Sequence, residues 1–223
     1  MKPSASSSFL MGLAVLVTSF FGGCSLDPVE RNAIQALGGE DPAVPPGEFH
    51  RPGQPCLVCH SRTGPASDSP FAVAGTIFYG PFKPRPVEGA WVRLIDADGN
   101  RVCKRTNCNG NFIFLDKDFG DDKFQGRPGP TFPLLVSVQK VIDPAKDPLG
   151  KTPSMNGHIG REGSCSACHK PLPPNTQTTG SFESPGLVRL FENEADVDKL
   201  NLPTLPCPPA EPPQAIPCPE DVR

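Results

Sequence analysis

Two short stretches of this chain combine residues that could do chemistry: Cys56-Leu57-Val58-Cys59-His60 and Cys165-Ser166-Ala167-Cys168-His169. Each reads C-x-x-C-H. At that spacing two sulfurs can form thioethers with the vinyl groups of a haem, while the adjacent histidine comes under the porphyrin face and ligates the iron. C-x-x-C pairs also occur in four-cysteine zinc sites and in redox-active dithiols. Neither of those uses requires a histidine directly after the second cysteine, and here one stands after both. The spacing therefore implies two covalently attached c-type haems, one at Cys56, Cys59 and His60, the other at Cys165, Cys168 and His169.

The chain has four histidines, and two are already in the motifs, which leaves His50 and His158. His50 stands six residues ahead of Cys56 and His158 seven ahead of Cys165, a matched placement that makes both candidates for the distal ligand. Of the three methionines, Met1 and Met11 lie in the N-terminal stretch that reads as a signal peptide, so Met155 is the remaining thioether and the reserve distal candidate. The simplest assignment is bis-histidine ligation at both irons, with His60 and His169 proximal and His50 and His158 distal. Which distal histidine serves which haem stays open, as does the reading of both as ordinary loop histidines. Two six-coordinate irons leave no position for a substrate, and no residue constellation marks a catalytic acid or base. The implied chemistry is exchange between Fe(III) and Fe(II), at a lower potential than methionine ligation would set. Two alternatives are a peroxidase-like or reductase enzyme with one five-coordinate haem, and a surface binding or sensing module with haem as a structural cofactor.

Haem attachment of this kind takes place outside the cytoplasm, and the N-terminus fits that requirement. Lys2 is followed by an apolar run over residues 9–21 that is too short to cross a bilayer core of about 30 Å and reads as a signal peptide. Phe21-Gly22-Gly23-Cys24 resembles a bacterial lipobox, which implies lipid attachment at Cys24 and cleavage before it. Plain secretion with Cys24 a bystander is the alternative. The expected location is the periplasm or the outer cell surface, on inner or outer membrane, with lipid as the membrane anchor. A formal net charge of -3 offers no basic footprint for nucleic acid, and the expected partners are redox proteins rather than a small-molecule substrate.

With 30 Pro and 22 Gly in 223 residues, the scaffold cannot be mostly helix. After the signal peptide (1–23) comes a tether (24–46) containing one short helix over 28–37, and then the first haem-binding segment (47–70). Residues 71–142 change character. Alternating apolar residues predict strands over 71–78, 90–96, 101–106, 111–115 and 132–141, with Ala90, Val92 and Leu94 on one face, Phe112 and Phe114 on another, and Leu134, Val136 and Val138 on a third. Asp98-Gly99-Asn100 and Asn109-Gly110 are turn signals. The second haem-binding segment and a last strand over 186–191 occupy 143–191, and a Pro-rich tail takes 192–223. The fold class this implies is mainly β: a small antiparallel sandwich flanked by loop-rich haem segments, with an N-terminal signal helix.

The order Ala74-Gly75-Thr76-Ile77, Gly89-Ala90-Trp91-Val92-Arg93-Leu94-Ile95-Asp96, Asp98-Gly99, Thr106-Asn107 and Gly110-Asn111-Phe112 resembles the carboxypeptidase regulatory-like family. The resemblance covers residues 71–142 and implies a transthyretin-like β-sandwich in a non-catalytic accessory role. The whole arrangement resembles exported dihaem c-type cytochromes in which such a domain stands between two C-x-x-C-H motifs.

Of nine cysteines, Cys24 and the four in the motifs leave Cys103, Cys108, Cys207 and Cys218, which allow three pairings. Local pairs, Cys103 with Cys108 and Cys207 with Cys218, are the first expectation. The first of these needs a bend, because strand parity would put Cys103 and Cys108 on opposite faces, and crossing pairs to the tail are the alternative. Structural disulfides suit a core this small, each contributing about 2 to 4 kcal/mol.

Overall fold

The computed structural model describes residues 27–40, 42, 47–120, 129–147, 150–172, 184–200 and 202. The signal peptide, Cys24, Cys207, Cys218 and the Pro-rich tail from residue 203 on lie outside the described residues.

The described chain is mainly β, with antiparallel sheets and few helices. A first sheet pairs β1 (Val73–Thr76) with β4 (Asn111–Phe114), in a register that sets Val73 opposite Phe114 and Thr76 opposite Asn111. A second sheet has the order β3 (Arg101–Arg105), β2 (Trp91–Ile95), β5 (Leu135–Gln139), with Val92 opposite both Lys104 and Val138. All five strand expectations therefore hold, each with ends trimmed by one to several residues. Residues 188–191 do not form a regular strand. They run beside Phe78 and Tyr79 through an isolated parallel bridge and three backbone hydrogen bonds.

Period-two alternation explains the core. Val92 and Leu94 of β2, Val136 and Val138 of β5, and Phe112 and Phe114 of β4 all turn into one apolar cluster joined by Val73, Ile77 and Leu134. Both sheets thus contribute to the same buried layer. Later segments of the chain pair with the sheet edges. Residues 151–159 run antiparallel beside β5 through Lys140 with Lys151, Ser137 with Ser154 and Leu134 with Ile159, and Ser164 lies parallel to Ala74 at the free edge of β1.

Turn chemistry sets the hairpin geometry. The buried Asp96 carboxylate accepts from the Asp98 and Asn100 backbone N–H groups at 3.1 and 2.8 Å, closing the β2–β3 turn. Gly110 sits at φ +73°, where a Cβ would also meet the Ile77 carbonyl at 2.4 Å, so glycine is required there on both counts.

The helices are short. The longest described, α1 (Pro28–Ala36), starts on Asp27, whose side chain accepts from Val29 N at 2.7 Å, with proline in its first turn. No described helix is long and apolar enough to cross a membrane. Two others, α2 (Cys165–Cys168) and α3 (Glu194–Asp198), are single turns. Sequence periodicity does not reveal α3, since five residues carry too little pattern. Its Glu194 accepts from Phe82 N and Lys83 N at 3.1 and 3.3 Å and pairs with Arg85, tying the start of the tail to the loop after Tyr79.

Thr106 is 3 % exposed, accepts from Ala90 N at 2.9 Å and donates to the Val87 carbonyl. Thr106→Val preserves shape but strands both backbone groups, and is expected to lower stability by about 1 to 3 kcal/mol. Urea unfolding checks this; an unchanged midpoint would show that the hydroxyl is dispensable.

Candidate functional site

Both C-x-x-C-H motifs fold as one helical turn. Residues Cys56–Val58 form a 3-10 turn and Cys165–Cys168 form α2. In each, the histidine N–H reaches back four residues to the first cysteine's carbonyl, at 2.9 Å for His60 and 2.8 Å for His169. That turn brings the first cysteine and the histidine onto one face. All four motif thiols are free, whereas Cys103 and Cys108 are both disulfide-bonded.

The imidazoles are oriented in the same way at both places. His60 Nδ1 lies 2.8 Å from the Ser69 carbonyl, and His169 Nδ1 lies 2.9 Å from the Gly186 carbonyl. A carbonyl oxygen can only accept, so Nδ1 carries a proton and donates in both rings, which leaves Nε2 as the nitrogen free to meet a ligand. This backbone contact is the usual support for a metal-ligating histidine, fixing its tautomer and ring direction. The His60 ring is further clamped by Phe71, stacked at 3.8 Å and 8°. Burial holds His169 below the usual histidine range, against an opposing contribution from the Gly186 hydrogen bond.

His50 stands beside His60, with ring centroids 5.8 Å apart. Burial lowers its pKa, with Glu40 opposing, and its buried Nδ1 has no hydrogen-bond partner among the described residues. Three asparagines of the β3–β4 turn hold the segment that carries it. Asn107 Nδ2 donates to the Glu48 carbonyl at 2.7 Å, Asn109 Nδ2 to the Phe49 carbonyl at 2.8 Å, and Asn111 Nδ2 to the Glu48 and His50 carbonyls at 3.2 and 3.1 Å. Thr76 of β1 completes the network: it donates to Asn111 Oδ1 at 2.8 Å and accepts from Gly53 N at 2.7 Å. Arg51 adds a second clamp, donating to the Leu37 and Gly38 carbonyls and to Gln54 while pairing with Glu40. The helix of the expected tether is thereby docked against the site. The sequence marks this turn as asparagine-rich, but not that its side chains serve the His50 segment.

Each motif opens into a cavity. The first, about 570 Å³, is lined by Cys56, Cys59, His60 and His50 together with Phe71 and Phe112. Lys104 and Lys117 bring positive charge to it, Lys104 pairing at 3.0 Å with the largely buried Asp118. The second, about 390 Å³, lies among residues of both sheets, Ile77 and Phe112 on one side and Val92, Val136 and Val138 on the other, with Cys165, His169 and Met155 in its wall. Cys168 is exposed. His158 is exposed too and does not line this cavity. Both volumes fall in the range of small-molecule and cofactor pockets.

The two motifs are neighbours across β1. Cys56–Val58 and α2 both pack on that strand, and Cys56 lies close enough to Cys165 to add to its pKa shift. Burial pushes the Cys56 thiol up to about 11 and the Cys165 thiol to about 12. A thiolate nucleophile calls for the opposite shift, so the redox-dithiol reading gains nothing from this environment. Among the described residues no three His, Cys, Asp or Glu side chains converge as a metal-binding group. A porphyrin iron needs only one or two protein ligands, so a pair of facing side chains suffices for it.

Comparison with family models, with curated proteins and with solved structures finds no match to this chain.

A Cβ at Gly75 of β1 would stand 2.8 Å from Cys165 Cβ and 3.0 Å from both Cys165 Sγ and Phe112 Cζ. Gly75→Ala should therefore overpack the junction between the motifs and cost about 1 to 3 kcal/mol, read from the urea midpoint. Wild-type stability in that variant would show that α2 is not seated as described. Asn111→Ala removes the contacts to Glu48 and His50; NMR should show shifted His50 ring signals with those of His169 unchanged, whereas equal shifts in both rings would contradict a local clamp.

Proposed function

We propose that this chain is an exported, lipid-anchored dihaem cytochrome of c type that passes single electrons between redox proteins. In this reading the two sheets form a transthyretin-like sandwich whose task is to hold two haem segments at a fixed separation. The carrying observation is that one local arrangement occurs twice: a helical turn with two free thiols, and a histidine whose Nδ1 donates to a backbone carbonyl. Chance placement of two loop histidines does not require the same tautomer-fixing contact at both.

The residues fit the group the motifs call for. Cys56 and Cys59 would bind the first haem, with His60 as a ligand and His50 facing it; Cys165 and Cys168 would bind the second, with His169 as a ligand. Bound haem supplies a centre that gains and loses one electron with no other chemistry required of the protein. The chain's part is to orient and to exclude water. Phe71 and the Ser69 carbonyl hold His60, the Gly186 carbonyl holds His169, and the Lys104 and Lys117 charges suit the carboxylates that a haem carries. Phe112 lines both cavities, so the two sites share a wall residue. Such closeness favours electron passage through the molecule over a sensor in which haem is only a staple.

Expression alongside a haem-attachment apparatus should give a red protein whose intact mass exceeds that of the polypeptide by two haems. A Cys56→Ser, Cys59→Ser double variant should carry one. A colourless wild type, or a mass without porphyrin, would overturn the reading.

A further inference from the structure

We propose that the two sites take different distal ligands: the His50 imidazole at the first, and the Met155 thioether, in place of His158, at the second. This rests on the dihaem reading and goes beyond it, because it assigns the sixth ligand and makes the two centres unequal.

The backbone decides between Met155 and His158. Ile159 exchanges two hydrogen bonds with Leu134, at 2.8 and 2.9 Å, and its side chain is 9 % exposed in the core. In an extended segment neighbouring side chains point to opposite faces, so burying Ile159 sends His158 outward. His158 is indeed exposed and absent from the cavity wall. Turning it inward would break both Leu134 hydrogen bonds and take Ile159 out of the core.

Met155 is held in the reverse sense. Its N–H donates to the Val136 carbonyl at 3.1 Å, the neighbouring Ser154 is bridged to Ser137, and the side chain lines the same cavity as Cys165 and His169. Its side chain is 37 % exposed, so the thioether is not locked into the core. A flexible thioether in the same cavity as an oriented imidazole is a suitable second ligand for a haem iron.

At the first site no methionine among the described residues lines the cavity, and His50 stands against His60 with its Nδ1 buried and unpartnered. Methionine ligation raises a haem potential relative to bis-histidine, so the second site would be the higher of the two. An electron entering at the His50 side would then come to rest beside Met155.

The test is the ferric absorption spectrum of the purified two-haem protein together with a spectroelectrochemical titration. Wild type and His158→Ala should both show the far-red band of an iron–thioether bond, and two separated midpoints. Met155→Leu and Met155→His should each keep two haems by mass, lose the band and lower the upper midpoint, leaving the lower one in place. A two-haem wild type without the band, or a band that survives in Met155→Leu or disappears in His158→Ala, overturns the assignment while leaving the dihaem reading intact. A wild type whose mass lacks the haems overturns both.

Discussion

The arrangement depends on how closely α2 approaches β1. Cys165 packs against Gly75 at a place where no side chain fits, and the same strand carries the Cys56–Val58 turn nearby. Because protein interiors are filled to crystal-like density, such a contact leaves neither segment free to drift. The separation of the two thiol pairs, and of any groups bound to them, is thereby set by one short strand rather than by the long loops that join the motifs in sequence.

The loops themselves are held by polar contacts instead of regular structure. Buried backbone groups need partners, and in segments with so much glycine and proline few can come from a ladder. Side chains supply them: Asn107, Asn109 and Asn111 for residues 48–50, Thr76 for Gly53, and Arg51 for the Leu37 and Gly38 carbonyls just after α1. Backbone carbonyls return the service by orienting His60 and His169. The irregular segments and the sheets are in this way a single hydrogen-bonded unit.

The cavities lie where the sheets leave their apolar layer incomplete. Ile77, Val92, Phe112, Val136 and Val138 belong to the core and also line the second cavity, so a flat apolar group there would extend the buried layer. A domain with a small core stands to gain from such added burial. Phe112 belongs to the core and lines both cavities.

The strands were legible from residue types and spacing, because period-two alternation is a local property, and the two C-x-x-C-H motifs stand out in the same local way. Val92, Leu94, Phe112, Phe114, Val136 and Val138 face inward as their alternation implies. Matching positions ahead of the two motifs made His50 and His158 look equivalent, and only the tertiary structure separates them. The Asn111 side chain anchors one beside His60, while the pairing of Ile159 with Leu134 turns the other to solvent. Distance along a chain does not specify which face of an extended segment is buried; that depends on which neighbouring strand claims its backbone.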